Sequence, residues 1–112
     1  METEAGMVWY KGLYTGSLIR RAAEDVRKKS DEGKYPPGVF IVTLPPGDAG
    51  TLELMPAEEL NKDLVRSRIP MIVGLALGKS EAEYLVMKIV QDTWDAQQNA
   101  DVRHYLQEKD RG

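Results

Sequence analysis

The chain has no cysteine and only one histidine, His104, in 112 residues. Without thiols there is no disulfide framework, no thiolate nucleophile and no cysteine-ligated metal, and one imidazole is too few for a histidine-based metal site. No metal or other cofactor is therefore expected, and a reducing cytoplasm is the default compartment. An excess of positive charge is lacking too. Fifteen Lys and Arg stand against eighteen Asp and Glu, a formal charge of −3, so no global field draws the chain onto nucleic acid or an anionic membrane. The longest strongly apolar stretch, 70–77, falls far short of the ~20 residues that cross a bilayer. Met1 to Gly6 carries two Glu and lacks the cationic start and apolar core of a secretory signal peptide, so it reads as a short disordered lead-in.

What is present is globular. Hydrophobic residues make up 42% and charged residues 29%, too apolar for a disordered chain. A chain of this length supports one core. The expected organisation is a single domain over 7–106 followed by a charged, frayed tail over 107–112.

The elements are read from period and punctuation. Met7 to Tyr14 is rich in aromatics and reads as a strand interrupted by Gly12. From Ser17 the apolar residues Leu18, Ile19, Ala22, Ala23 and Val26 recur at helical spacing and predict a helix to about residue 32, with Thr15 or Ser17 as its cap. Tyr35-Pro36-Pro37-Gly38 stops it. Residues 39–44 are continuously apolar and β-branched, as in a strand covered on both faces. The turn formers of 45–50 lead to the alternating Thr51 to Leu54, an edge strand. A brief helix follows Pro56, with an apolar stripe of Leu60, Leu64 and Val65, and ends near Arg68. The second buried strand is 70–77. The helix over 80–98 should bury Ala82, Leu85, Val86, Ile89, Val90 and Trp94, with Ser80 and Glu83 as a capping box and Asn99 as a left-handed cap. Val102, Tyr105 and Leu106 suggest a short final turn docked on the core.

The order β-α-β-β-α-β-α predicts an α/β domain bordering on α+β, with a small mixed sheet of three to four strands and helices packed on it. Any β-α-β passage returning to the same sheet should cross over right-handed.

Chemistry is sparse. Gly78-Lys79-Ser80 after a buried strand invites comparison with a phosphate-binding loop, which needs four residues between its first glycine and the Gly-Lys-Ser. Gly74 leaves three, and these are Leu75, Ala76 and Leu77, which continue the strand. The comparison fails. A weaker idea survives it: if the first and last long strands run parallel, Thr15, Gly16 and Ser17 open on the same sheet edge as Gly78, Lys79 and Ser80. Together they would form an anion or small-ligand crevice with Lys79 as counter-charge. The basic residues Arg20, Arg21, Arg27, Lys28 and Lys29 are interrupted by Glu24 and Asp25 and read as a solvated helix face, not a nucleic-acid reader. His104 has no serine or cysteine nucleophile near it in sequence, and the paired acids Glu58-Glu59 and Glu81-Glu83 fall in helix first turns that favour acid anyway. No catalytic residue is assigned. The sequence thus points to a non-catalytic interaction or ligand-binding module, self-associating through a sheet edge or an apolar face. The competing class is a small enzyme or nucleotide-binding domain using the crevice.

Overall fold

The computed structural model describes residues 8–44 and 52–111. The lead-in expected over 1–6 and the turn over 45–50 lie outside these. Four strands, β1 (Trp9–Thr15), β2 (Val39–Leu44), β3 (Glu53–Pro56) and β4 (Met71–Leu77), form one mixed sheet in the order β1-β4-β2-β3. β1 runs parallel to β4, and β2 runs antiparallel to both β3 and β4. β3, paired with β2 at the end of that order, is thus an edge, and the two continuously apolar strands occupy the centre.

Both faces of the sheet are covered, which is why β2 and β4 do not alternate polar and apolar residues. On one face α3 (Lys79–Gln97) and α4 (Val102–Arg111) bring Leu85, Ile89, Val102 and Leu106 against Val42, Leu44, Val73 and Ala76. On the other, Ile19, Val26 of α1 (Ala23–Asp31) and Leu60 pack on Val39, Ile41, Ile72 and Leu75. Val42 pairs with Gly74 and Thr43 with Ile72, so Val73 is an extra residue, a bulge in β4. The bulge turns Gly74 toward α3. A Cβ there would lie 3.1 Å from Val42 Cβ and 3.4 Å from Leu85 Cδ1, so the sheet and helix approach as closely as they do because residue 74 has no side chain.

Several local expectations shift. The first helix begins later than Ser17, as a 3-10 turn (Arg20–Ala22) leading into α1, without a side-chain cap. Leu18 is left exposed. The helix after Pro56 is two pieces, a 3-10 turn (Ala57–Asn61) and α2 (Asp63–Arg68), separated at Lys62 by an extended backbone. Leu64 consequently points away from the stripe begun by Leu60 and is 81% exposed. Gln98, not Asn99, takes the left-handed conformation after α3. α4 continues to Arg111 where only a short turn and frayed tail are expected. Among the described residues no helix is long and apolar enough to cross a membrane.

Candidate functional site

Because β1 and β4 are parallel neighbours, their C-terminal ends finish side by side. The chain leaving β1 is held there by Gly16, whose amide donates to the Leu75 carbonyl at 3.0 Å. β4 passes into α3 through Gly78, whose φ of 91° suits a residue without a Cβ. An open crevice of about 660 Å³ lies between the two, lined by Thr15, Gly16, Ser17, Leu18 and Arg20 from one side and Ser80, Glu81 and Tyr84 from the other. Thr15, Gly16, Ser17 and Ser80 are thus brought together as the sequence anticipates. Gly78 and Lys79 are not among the lining residues, and the cation at the crevice is Arg20.

Glu81 governs this place. With Gly78 as N-cap, Glu81 is the third residue of α3, where an acid can reach back over the helix start. Its Oε2 accepts from the Leu18 amide and its Oε1 from the Leu77 amide, both at 2.8 Å. One carboxylate therefore ties the end of β1 to the end of β4 and uses amides that an external anion would seek. The N-cap of α3 is Gly78, which has no side chain to cap with, so the Ser80 to Glu83 capping box is corrected: Glu81, two residues before Glu83, is the acid that reaches back over the helix start.

A second polar group joins β1 to α3 further along. The Tyr14 hydroxyl donates to Asp92 Oδ2 at 2.7 Å, and Lys88 Nζ lies 3.3 Å from the other carboxylate oxygen. The Tyr14 ring stacks on Tyr10 with centroids 6.5 Å apart. Burial first, then the bond to Asp92 and its charge, push the Tyr14 phenol far above its ordinary value. The Tyr14 hydroxyl is thus held as a hydrogen-bond donor to Asp92. His104 is exposed on α4, its own amide donating to Asp101 Oδ1. Among the described residues no three His, Cys, Asp or Glu side chains gather as a metal-binding set.

The feature the sequence reading missed is the outer face of α3. The core face of this helix is Ala82, Leu85, Ile89 and Thr93; Thr93 is accommodated there because its hydroxyl donates to the Ile89 carbonyl at 2.8 Å. On the side turned from the sheet, Tyr84, Met87 and Trp94, flanked by Val90, are 62, 69, 50 and 37% exposed. Trp94, expected in the core stripe, belongs to this second stripe because Thr93 fills the inward position. Spacings of three and seven residues place Tyr84, Met87 and Trp94 within about 80° of one another around the helix, on one face. The signal was legible: α3 has apolar residues on more than one face. Comparison with protein-family models, with curated proteins and with solved structures finds no match, so the function is read from the chain's own geometry.

Proposed function

We propose that this chain is a non-catalytic protein-interaction module, working in a reducing cytoplasm, whose contact surface is the outer face of α3. The observation that carries the reading is the aligned exposure of Tyr84, Met87 and Trp94 on a helix whose opposite face already packs on the sheet. Isolated exposed apolar residues need no explanation, whereas a contiguous stripe of large ones marks a contact surface. The alternative surface for association, a sheet edge, has less support. β3 has four residues and ends on Pro56, and β1 has an irregular register against β4, features that blunt edge pairing.

The test is a Met87→Ser, Trp94→Ser double variant. Met87 is 69% and Trp94 50% exposed, so the variant should keep the far-UV spectrum of the parent while association is lost. Association unchanged in a folded double variant would overturn the reading.

The second reading is an anion or small-ligand crevice, supported by the cavity between Thr15, Gly16, Ser17 and Ser80. Lys79, proposed as its counter-charge, is exposed at the start of α3 beside the lining. An anion at the Leu18 and Leu77 amides would have to displace Glu81. Amide chemical shifts at 15–18 and 77–81 during a titration with inorganic phosphate decide between the two.

A further inference from the structure

We infer that the crevice between the ends of β1 and β4 binds a neutral sugar, with the Tyr84 ring as its platform; this rests on the second reading above, that the cavity takes a ligand. The chemistry of its two walls selects the class. On the α3 wall, Ser80, Glu81 and Tyr84 fall within about one turn of helix, so hydroxyl, carboxylate and ring are neighbours. On the facing wall stand Thr15, Ser17 and Arg20.

An anion is disfavoured, because the Glu81 carboxylate already holds the Leu18 and Leu77 amides, each at 2.8 Å, and brings its own negative charge to the crevice. A lone cation is disfavoured in turn by the Arg20 guanidinium on the other wall. An apolar ligand finds only the Leu18 and Tyr84 side chains to pack on. What remains is a ligand that both donates and accepts hydrogen bonds. A carboxylate only accepts, a guanidinium only donates and a hydroxyl does either, so the adjacent hydroxyls of a sugar are met from both walls. Among the described residues, no hydrogen bond or ion pair within the chain engages the side chains of Thr15, Ser17, Arg20 or Ser80. The C–H face of a sugar ring supplies the apolar surface that lies on an aromatic ring, and Tyr84 is 62% exposed. At about 660 Å³ the cavity falls within the range of small-molecule sites, about 300–1,000 Å³.

The test is a titration of the full chain, followed by amide chemical shifts, with free glucose, galactose, mannose and ribose and with short oligosaccharides of the hexoses. Inorganic phosphate and adenosine are titrated beside them. A sugar should give saturable shifts at 15–20 and 80–84, with a Kd of about millimolar order, as suits an open, hydrated site. Tyr84→Ala should weaken binding about five- to tenfold, Tyr84→Phe should keep the parent affinity, and Leu64→Ala on α2 should leave it unchanged. Binding of the free sugars identifies a small-molecule ligand and binding of oligosaccharides alone a glycan; both support the inference. Saturable shifts with phosphate or adenosine and with no sugar overturn the sugar and keep the cavity as a ligand site. No shift with any of these probes overturns both, and a sugar bound equally by Tyr84→Ala and the parent overturns the platform.

Discussion

Gly16 lies directly beneath the carboxylate of Glu81: a Cβ added at residue 16 would sit 2.0 Å from Glu81 Cδ and 2.1 Å from its Oε1. The two residues are 65 positions apart in the chain and meet because β1 and β4 are parallel neighbours. Gly16 gives the carboxylate room to reach the Leu18 and Leu77 amides. Gly16→Ala should therefore expel Glu81 and cost about 1–3 kcal/mol in denaturant unfolding. Glu81→Ala alone removes the same two bonds and the clash together. The double variant should then be little worse than Glu81→Ala, a coupling read from a double-mutant cycle; strict additivity would refute the contact.

Tyr14 and Asp92 give a pH signature. The folded-state phenol value is raised above the unfolded one, so the folded state holds this proton more tightly. That stabilising contribution is complete below about pH 10, where an unfolded tyrosine begins to ionise, and is lost as pH rises further. Tyr14→Phe should be slightly less stable at neutral pH, by about 0.5–1.5 kcal/mol for the lost hydrogen bond, and should show a flatter decline between pH 9 and 11. Equal slopes for parent and variant would exclude this role.

Gly74→Ala tests the bulge. Its methyl would press on Val42 Cβ at 3.1 Å and Val42 Cγ2 at 3.2 Å, in a sheet centre that has no slack. Overpacking of this kind costs about 1–3 kcal/mol, and thermal unfolding should report it as a lowered midpoint. An unchanged midpoint would mean that the α3 layer shifts freely over the sheet.

Phosphate separates the two functional readings. With Glu81 seated on the Leu18 and Leu77 amides, the parent chain should show no shift changes at 15–18 and 77–81 on adding millimolar phosphate, and Glu81→Ala should gain them. Saturable shifts in the parent would favour the crevice as a ligand site.

The central strands and α3 were legible because their signals are redundant. Residues 39–44 and 72–76 are uniformly apolar or β-branched enough to mark covered strands, and the spacing of Ala82, Leu85 and Ile89 fits one helical face. Boundaries that depend on a single residue were not. Ser80 and Glu83 carry the letters of a capping box, yet Gly78 ends β4 with a positive φ and starts α3 early, which moves the capping role to Glu81. Leu18 and Trp94 look like core residues by type and near-periodicity. Tertiary packing instead selects Ile19 and Thr93 for the inward positions and leaves both large side chains in solvent. Of the anticipated crevice, Thr15, Gly16, Ser17 and Ser80 were legible from strand and helix ends alone. Arg20 and Tyr84 were not, since their approach depends on how the chain turns after β1.

The most direct test of the α3 surface is site-specific photo-crosslinking in native extract. A photoreactive side chain at Met87 or Trp94 should give one discrete crosslinked species, whether to this chain or to another protein. The same group at Leu64, which is more exposed than either but lies on α2, should give none. Equal crosslinking from Leu64, or none from Met87 and Trp94, would contradict the account.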